Sequence, residues 1–411
     1  MTDKPLTRRA LLGGAAGAIA ATAAAQLSGV AAAEAQEAAL PPVPQDPTKV
    51  PGAPTSLVGT RSRFEHPRRT SGPTSTQAPL HELVGTITPS DVHYERHHAG
   101  VPTIDPAAHT LTIHGLVDHP TVFTLEDIKR FPSVSRIHFL ECSGNYRRNA
   151  PESTTAQQVC GLTSNSEWTG VPLATLFREV GVKRGAKWFL AEGRDAAMLS
   201  RSIPIEKAFD DAMIAYGQNG EALRPEQGYP LRLLLPGWEG NTNVKWLGRL
   251  KLGDEPFMSR EETSKYTEVM KDGRARQFSF VIDARSIITS PSYPQTMRRG
   301  WNEIRGLAWS GRGRIARAEL SFDEGRTWIE AELQGPVLPK AHTRFRYPWK
   351  WDGGETTVMS RAIDETGYVQ PTQRELIDAR GVGCGPYHLN PVTGWRIRTD
   401  GTVVFRTEAW A

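Results

Sequence analysis

Apolar and polar positions alternate along much of this chain, and the breaks in that alternation mark out its elements. Ile137 and Phe139 alternate towards Cys142, where Ser143, Gly144 and Asn145 follow, so a strand there ends on a thiol and opens into a loop. Thr110–Val117 also has the period of a strand, and Trp188–Ala191 and Leu231–Leu235 are apolar runs suited to buried strands. Elsewhere the period changes. Leu173–Val180 has helical apolar spacing and stops at Gly181, and Ile205–Phe209 predicts a short helix. Thr124 with Asp127 forms a capping box ahead of a helix ending near Pro132, and Asn219-Gly220 is a hairpin turn. Strands and helices interleave without a βαβ rhythm, so residues 91–272 predict an α+β domain.

From about residue 275 the helical signals vanish. Ile304–Trp309, Arg314–Phe322, Thr327–Leu333, Arg344–Tyr347, Thr356–Ala362 and Val403–Thr407 are short alternating runs separated by turns such as Asp323-Glu324-Gly325-Arg326. Strands at that spacing predict an immunoglobulin-like β-sandwich over residues 273–411. A sandwich carries no chemistry by itself and reads as a dimerisation or scaffold module. Residues 36–90 are rich in Pro, Ser, Thr and Gly and predict an extended segment, draped over a partner surface or partly disordered.

Composition adds limits. A chain of 411 residues exceeds one ordinary core, and a net charge of +4 with no aromatic-basic repeat gives no footing for nucleic acid. The segment Leu6-Thr7-Arg8-Arg9-Ala10-Leu11-Leu12, then an Ala/Gly run and small residues at Ala31, Ala33 and Ala35, resembles a twin-arginine signal over residues 1–35. The expectation is a periplasmic protein, exported folded, with no membrane span once the signal is removed. Three cysteines remain, Cys142, Cys160 and Cys384, and no Cys-x-x-Cys-His occurs, so the expectation is no haem on this chain.

Arg147 and Arg148 lie within six residues of Cys142. A thiol near fixed cations is biased towards thiolate, the form that binds soft metals. The rival reading is a small buried hydrophobe. Cys384, in a glycine-rich loop, reads as structural, as a pocket-edge thiol, or as a partner for Cys160, with the structural reading favoured.

Several stretches carry a family resemblance. They are Tyr94-Glu95-Arg96-His97-His98-Ala99-Gly100-Val101-Pro102, Cys142-Ser143-Gly144-Asn145, and a long block through Gly228-Tyr229-Pro230-Leu231-Arg232 to Val244-Lys245-Trp246-Leu247-Gly248-Arg249-Leu250. Val369-Gln370-Pro371 with Ala379-Arg380-Gly381-Val382 adds to them. Together they resemble the sulfite oxidase family of molybdopterin enzymes over nearly all of residues 90–411. Within it, Cys142-Ser143-Gly144-Asn145-Tyr146-Arg147-Arg148 and Thr263-Ser264-Lys265-Tyr266-Thr267 are similar to the molybdenum subunits of bacterial sulfane dehydrogenases.

The resemblance implies a molybdenum–molybdopterin cofactor with Cys142 as the metal's protein ligand. It implies Arg96, Arg147 and Arg380 as substrate-pocket arginines and Tyr266 as an active-site hydrogen-bond donor. His98, Asn243, Lys245 and Arg249 match positions holding the pterin and its phosphate, Asn243 standing where relatives have histidine. The implied reaction oxidises sulfane sulfur bound to a carrier protein, with water as oxygen source and a c-type cytochrome subunit as electron acceptor. The implied assembly is a homodimer through the C-terminal domain within a hetero-oligomer. Sulfite dehydrogenation is the nearest alternative; a periplasmic reductase and a cofactor-free scaffold are more distant ones. Ser164 takes the place of a tryptophan found in sulfite-oxidising relatives, and the expectation is a pocket opened by that loss.

Overall fold

The computed structural model of the protein describes residues 54–407. The expected export signal and the start of the extended segment lie outside the described residues. The chain divides into two compact units, Met1–Ser62 and Arg63–Ala411. Of the first, residues 54–62 are described; they are exposed and carry no helix or strand. The account below concerns the second.

Three main sheets build this unit. In the first, Thr163–Pro172 lies between Val134–Glu141 and Met213–Gln218, and Glu221–Ala222 completes the hairpin. Asn219 and Gly220 supply the positive φ angles, 53° and 79°, that such a turn needs. The second sheet runs Thr121–Thr124, Thr110–Gly115, Leu247–Gly253, Trp188–Gly193, Ser200–Pro204, with the second and third strands parallel. Helix Leu173–Val180 buries Leu173, Leu176, Phe177 and Val180 in the core behind these strands and ends at Gly181 in the left-handed region. Leu125–Lys129 starts from the reciprocal Thr124/Asp127 capping box.

The third sheet has eight antiparallel strands, from Arg285–Ser290 to Val403–Phe405. It curls back on itself. Ser286 Oγ lies 2.9 Å from Ser360 Oγ, and Trp395 Nε1 donates to the carbonyl of Ile288 at 3.0 Å. An α+β part followed by a β-sandwich is thus the observed class. The two share one core, in which Phe139 and Trp168 of the first sheet pack with Trp309 and Phe345 of the sandwich.

Two expectations need correction. Helical structure does not vanish after residue 275: Gln373–Arg380 is a helix, started by a Thr372/Glu375 capping box and ended at Gly381, φ 86°. The later part of the extended segment is ordered and packs against this chain itself. Ala78 and Leu80 are fully buried in this chain's own core, and Ser75–Thr76 pairs with Glu95–Arg96, fixing the backbone that carries Arg96.

His342 sits at the junction of sheet and sandwich, stacked 6.0 Å from Phe139, its Nε2 2.9 Å from Thr163 Oγ1. Burial, with Arg344 adding to it, lowers its pKa from 6.5 to about 3. The ring is therefore neutral when folded, while the unfolded chain takes a proton below about 6.5. Below that pH the unfolded state binds more protons, so stability falls with acidity down to about 3. The slope is about 1.4 kcal/mol per pH unit. His93, also held down to about 3 by burial, acts in the same direction. We expect thermal melts at pH 7 and pH 5 to show the loss, and His342→Phe to flatten it.

A candidate active-site cleft

The strand Val134–Glu141 carries Cys142 into a cleft of about 640 Å³ of empty space, open solvent included. The thiol loop is fixed from behind. The Cys142 N–H donates to the Leu162 carbonyl at 3.0 Å, and the Cys142 carbonyl accepts from Asn145 N–H at 2.9 Å. Glu141 is buried and accepts from Asn145 Nδ2 at 2.9 Å and from Trp309 Nε1 at 2.5 Å, with Arg285 Nε 3.3 Å away. The turn is thereby held between the first sheet and the sandwich.

Arg96, His98 and Tyr266 line the cleft with Cys142. His98 Nε2 lies 3.0 Å from the Tyr266 hydroxyl. Tyr266 follows the short helix Arg260–Ser264, whose start is closed by the Ser259/Glu262 capping box. Burial raises the Tyr266 pKa well above its ordinary value, so the hydroxyl keeps its proton as a donor. Cys142 corrects the thiolate expectation. Burial raises its pKa, outweighing the Gly144 N–H and the Arg96 charge, which pull it down. A bound metal would have to displace that proton.

Asn243 and Lys245 also line the cleft, but their polar atoms serve the protein. Asn243 Oδ1 accepts from Leu235 N–H at 2.6 Å and its Nδ2 donates to the Glu239 carbonyl at 3.0 Å, closing the loop between them. Lys245 Nζ donates to the carbonyls of Arg96 and Glu226 and lies 2.7 Å from His97 Nδ1. With the ammonium donating, His97 Nδ1 accepts and Nε2 carries the proton towards Glu95, 2.7 Å away. Burial, then the neighbouring Arg232, pushes the Lys245 pKa well below its ordinary value.

The structure does not bring Arg147, Arg249 and Arg380 to this cleft. Beyond the Cys142 turn the chain reverses, and exposed Arg147 lines a separate groove with Thr70, Ser71 and Gln158. Arg249 lies across from Glu192 in the second sheet and pairs with it at 2.5 Å. Arg380 is spent on Glu268 (3.4 Å), Asp283 (3.3 Å) and the His388 carbonyl (2.7 Å). Ser164 is not at the opening either. It is fully buried, and its hydroxyl accepts from Tyr94 N–H at 3.1 Å. Cys160 and Cys384 are both free and buried, so they form no disulfide.

Residues that sequence pattern missed complete the site. Arg232, Asp195 and Asn241 line the cleft. Arg232 belongs to the resemblance block and could have been taken from it; Asp195 in a loop and Asn241 in the short 3-10 turn Gly240–Thr242 carry no local signal. Behind the cleft, buried Arg201 bridges Glu239 at 3.2 Å and Glu262 at 3.1 Å. Glu239 also meets His388 Nε2 at 3.1 Å. Burial alone would lower the His388 pKa, but the Glu239 hydrogen bond and charge raise it overall.

Two family models match the chain: the oxidoreductase molybdopterin binding domain at residues 98–261 and the Mo-co oxidoreductase dimerisation domain at residues 276–394. The crystal structure of the sulfane dehydrogenase SoxCD from Paracoccus pantotrophus matches with a TM-score of 0.83 and 44% identity, over 88% of this chain and 98% of that chain. This chain belongs to the sulfite oxidase family. Among curated members, mitochondrial sulfite oxidase of Drosophila melanogaster is 33% identical over 340 residues, 73% of this chain. An NADH nitrate reductase of the alga Ulva prolifera is 31% identical over 332 residues, 70% of this chain. The chain spans 58% and 38% of the length of those two relatives.

Membership in the sulfite oxidase family implies a molybdopterin cofactor, and the cleft fits one. It carries two arginines, Arg96 and Arg232, beside Lys245, against one carboxylate, Asp195. That balance suits a phosphorylated, anionic pterin. Two buried polar atoms there, Arg232 Nε and Asn241 Oδ1, have no hydrogen-bond partner among the described residues. Unpaired buried polar atoms are costly, so both call for a ligand. The soft sulfur of Cys142 suits the metal.

Proposed function

We propose that this protein is the molybdenum subunit of a periplasmic sulfane dehydrogenase. It oxidises sulfane sulfur held on a carrier protein and passes electrons to a c-type cytochrome subunit. The observation that carries this reading is the 44% identity to the SoxCD structure over 98% of that chain. A cleft that gathers Cys142, Arg96, His98 and Tyr266 agrees with it. Homodimer formation through the C-terminal domain is part of the proposal, supported by the match to the dimerisation family model. Export through the twin-arginine signal at residues 1–35 is another part, resting on the Arg8-Arg9 pattern.

When bound, the molybdenum cofactor supplies two-electron redox chemistry with oxygen derived from water. The chain's own residues do the rest. Cys142 would hold the metal, and Arg232 and Asn241 would meet the pterin with their unpartnered atoms. Arg96 attracts the anionic sulfur end of the substrate. Tyr266 offers its proton to a developing oxyanion, oriented by His98. Each oxygen added to sulfur from water releases two electrons and two protons, so a nearby electron acceptor is required.

Sulfite dehydrogenation is the second reading, favoured by the likeness to mitochondrial sulfite oxidase. The test is cytochrome c reduction by the molybdenum-loaded protein with its cytochrome partner, offered either free sulfite or a carrier bearing a cysteine-linked sulfane. Turnover of the loaded carrier, with sulfite slow, is the expected result. Rapid sulfite turnover with none on the carrier would replace the first reading by the second.

A further inference from the structure

Tyr387 stands between two residues that are both fixed against the thiol loop. Before it comes Pro386: a Cβ added at Gly144 would lie 4.0 Å from the Pro386 carbonyl oxygen and 4.0 Å from the Cys142 sulfur. After it comes His388, buried, whose N–H donates to the Ser143 carbonyl at 2.8 Å and whose Nε2 meets Glu239 at 3.1 Å. Arg148 holds the same segment further back, donating to the Gly385 carbonyl at 3.0 Å. The backbone that carries Tyr387 is therefore set by the loop that carries Cys142.

The Tyr387 ring is half-buried and packs against that of Tyr266, with centroids 5.1 Å apart and planes at 48°. The two hydroxyls differ. That of Tyr266 lies 3.0 Å from His98 Nε2, whereas that of Tyr387 has no hydrogen-bond partner among the described residues. Burial raises the Tyr387 pKa above its ordinary value, negative charge at Cys142 and at Glu239 adds to this, and Arg96 opposes it. The phenol thus keeps its proton and stands in the field of the same two cleft residues, Cys142 and Arg96, that act on Tyr266.

We infer that Tyr387 is a second phenol donor to the substrate, its O–H hydrogen-bonding to oxygen on the sulfur group held beside Cys142 and Arg96. The inference rests on reading the cleft as a site of sulfur oxidation, and it holds for sulfane or sulfite. Sulfur that gains oxygen presents a growing set of anionic acceptors, and hydrogen bonds to such acceptors are the strong ones. Arg96 supplies charge and Tyr266 is shared with His98, so Tyr387 brings a donor that the protein has not spent. The competing account is that the ring only packs against Tyr266. The hydroxyl separates the two, because packing does not need it.

Sulfate, a sulfur oxyanion that cannot be oxidised further, is the probe, titrated by calorimetry into the full-length, molybdenum-loaded protein. Tyr387→Phe keeps the ring and is expected to weaken sulfate binding about tenfold, the loss usual for a hydrogen bond to a charged acceptor. Its inhibition constant for sulfate against substrate should rise in parallel, with molybdenum content and melting temperature as in wild type. Tyr387→Leu, which removes ring and hydroxyl, should lose at least as much. Tyr347→Phe, in the sandwich, serves as control and should leave both values unchanged. Sulfate affinity in Tyr387→Phe within twofold of wild type would overturn the inference alone, whether or not Tyr387→Leu is weakened. So would sulfate that fails to compete with substrate in wild type. A wild type that turns over neither sulfane nor sulfite would overturn the functional reading and this inference with it.

Discussion

Arg201→Met unfolds with about 3–5 kcal/mol less stability than the wild type, the usual cost of removing one partner from a buried charge cluster. Arg201 has no exposed side-chain area and stands between Glu239 and Glu262, themselves buried. Methionine fills much of the volume but leaves both carboxylates facing apolar surroundings. They are unequally protected. Glu262 also accepts from Ser202 N–H at 2.6 Å and Ser259 N–H at 2.7 Å, and Glu239 keeps His388. Adding Glu262→Gln should recover little of the loss, because both Glu262 oxygens accept from backbone N–H groups and the amide nitrogen would oppose one of them. Urea melts of both variants measure this; a loss below about 1 kcal/mol in the single variant would mean that the cluster contributes little. The cluster also bears on the cleft. Arg201 packs over the Tyr266 ring at 5.1 Å, and Glu262 caps the helix before it, so the variant should lose turnover as well as stability.

That cluster marks the limit of what the sequence makes legible. Alternation places strands because neighbouring residues decide them, and Val134–Glu141 and Thr356–Asp364 follow directly from it. The helix Gln373–Arg380 was equally local, with Thr372 and Glu375 at capping-box spacing, but it was obscured by the all-strand pattern around it. The thiol loop, with Arg96, His98 and Tyr266, was legible from the family resemblance. The direction of each arginine was not. Arg147 and Arg148 are adjacent, yet the reversal after Cys142 sends one to a separate groove and the other to the carbonyls of Val382 and Gly385. Strand phase and close packing put Ser164 under Tyr94 rather than at the opening. Arg201, Glu239, Glu262 and His388 come from four distant segments, and no local spacing announces that they meet.

Cys142→Ser is expected to abolish turnover while leaving the fold in place. The side chain is nearly the same size, and the loop that carries it is held by Glu141, Asn145 and Arg285 rather than by the thiol. Melting should therefore stay within about 1 kcal/mol of wild type. Activity is another matter. Serine offers a hard, protonated oxygen where the proposed metal takes a soft sulfur. Even residues that only support a metal ligand cost roughly 10–100-fold when removed, so losing the ligand should cost roughly a thousandfold or more. The comparison to make is cytochrome c reduction per molybdenum atom, with the metal's paramagnetic resonance recorded in both proteins. Loss of turnover with an altered signal and an unchanged melt places the metal at this sulfur. Wild-type turnover in the variant would remove Cys142 from the site and, with it, the assignment of the cleft.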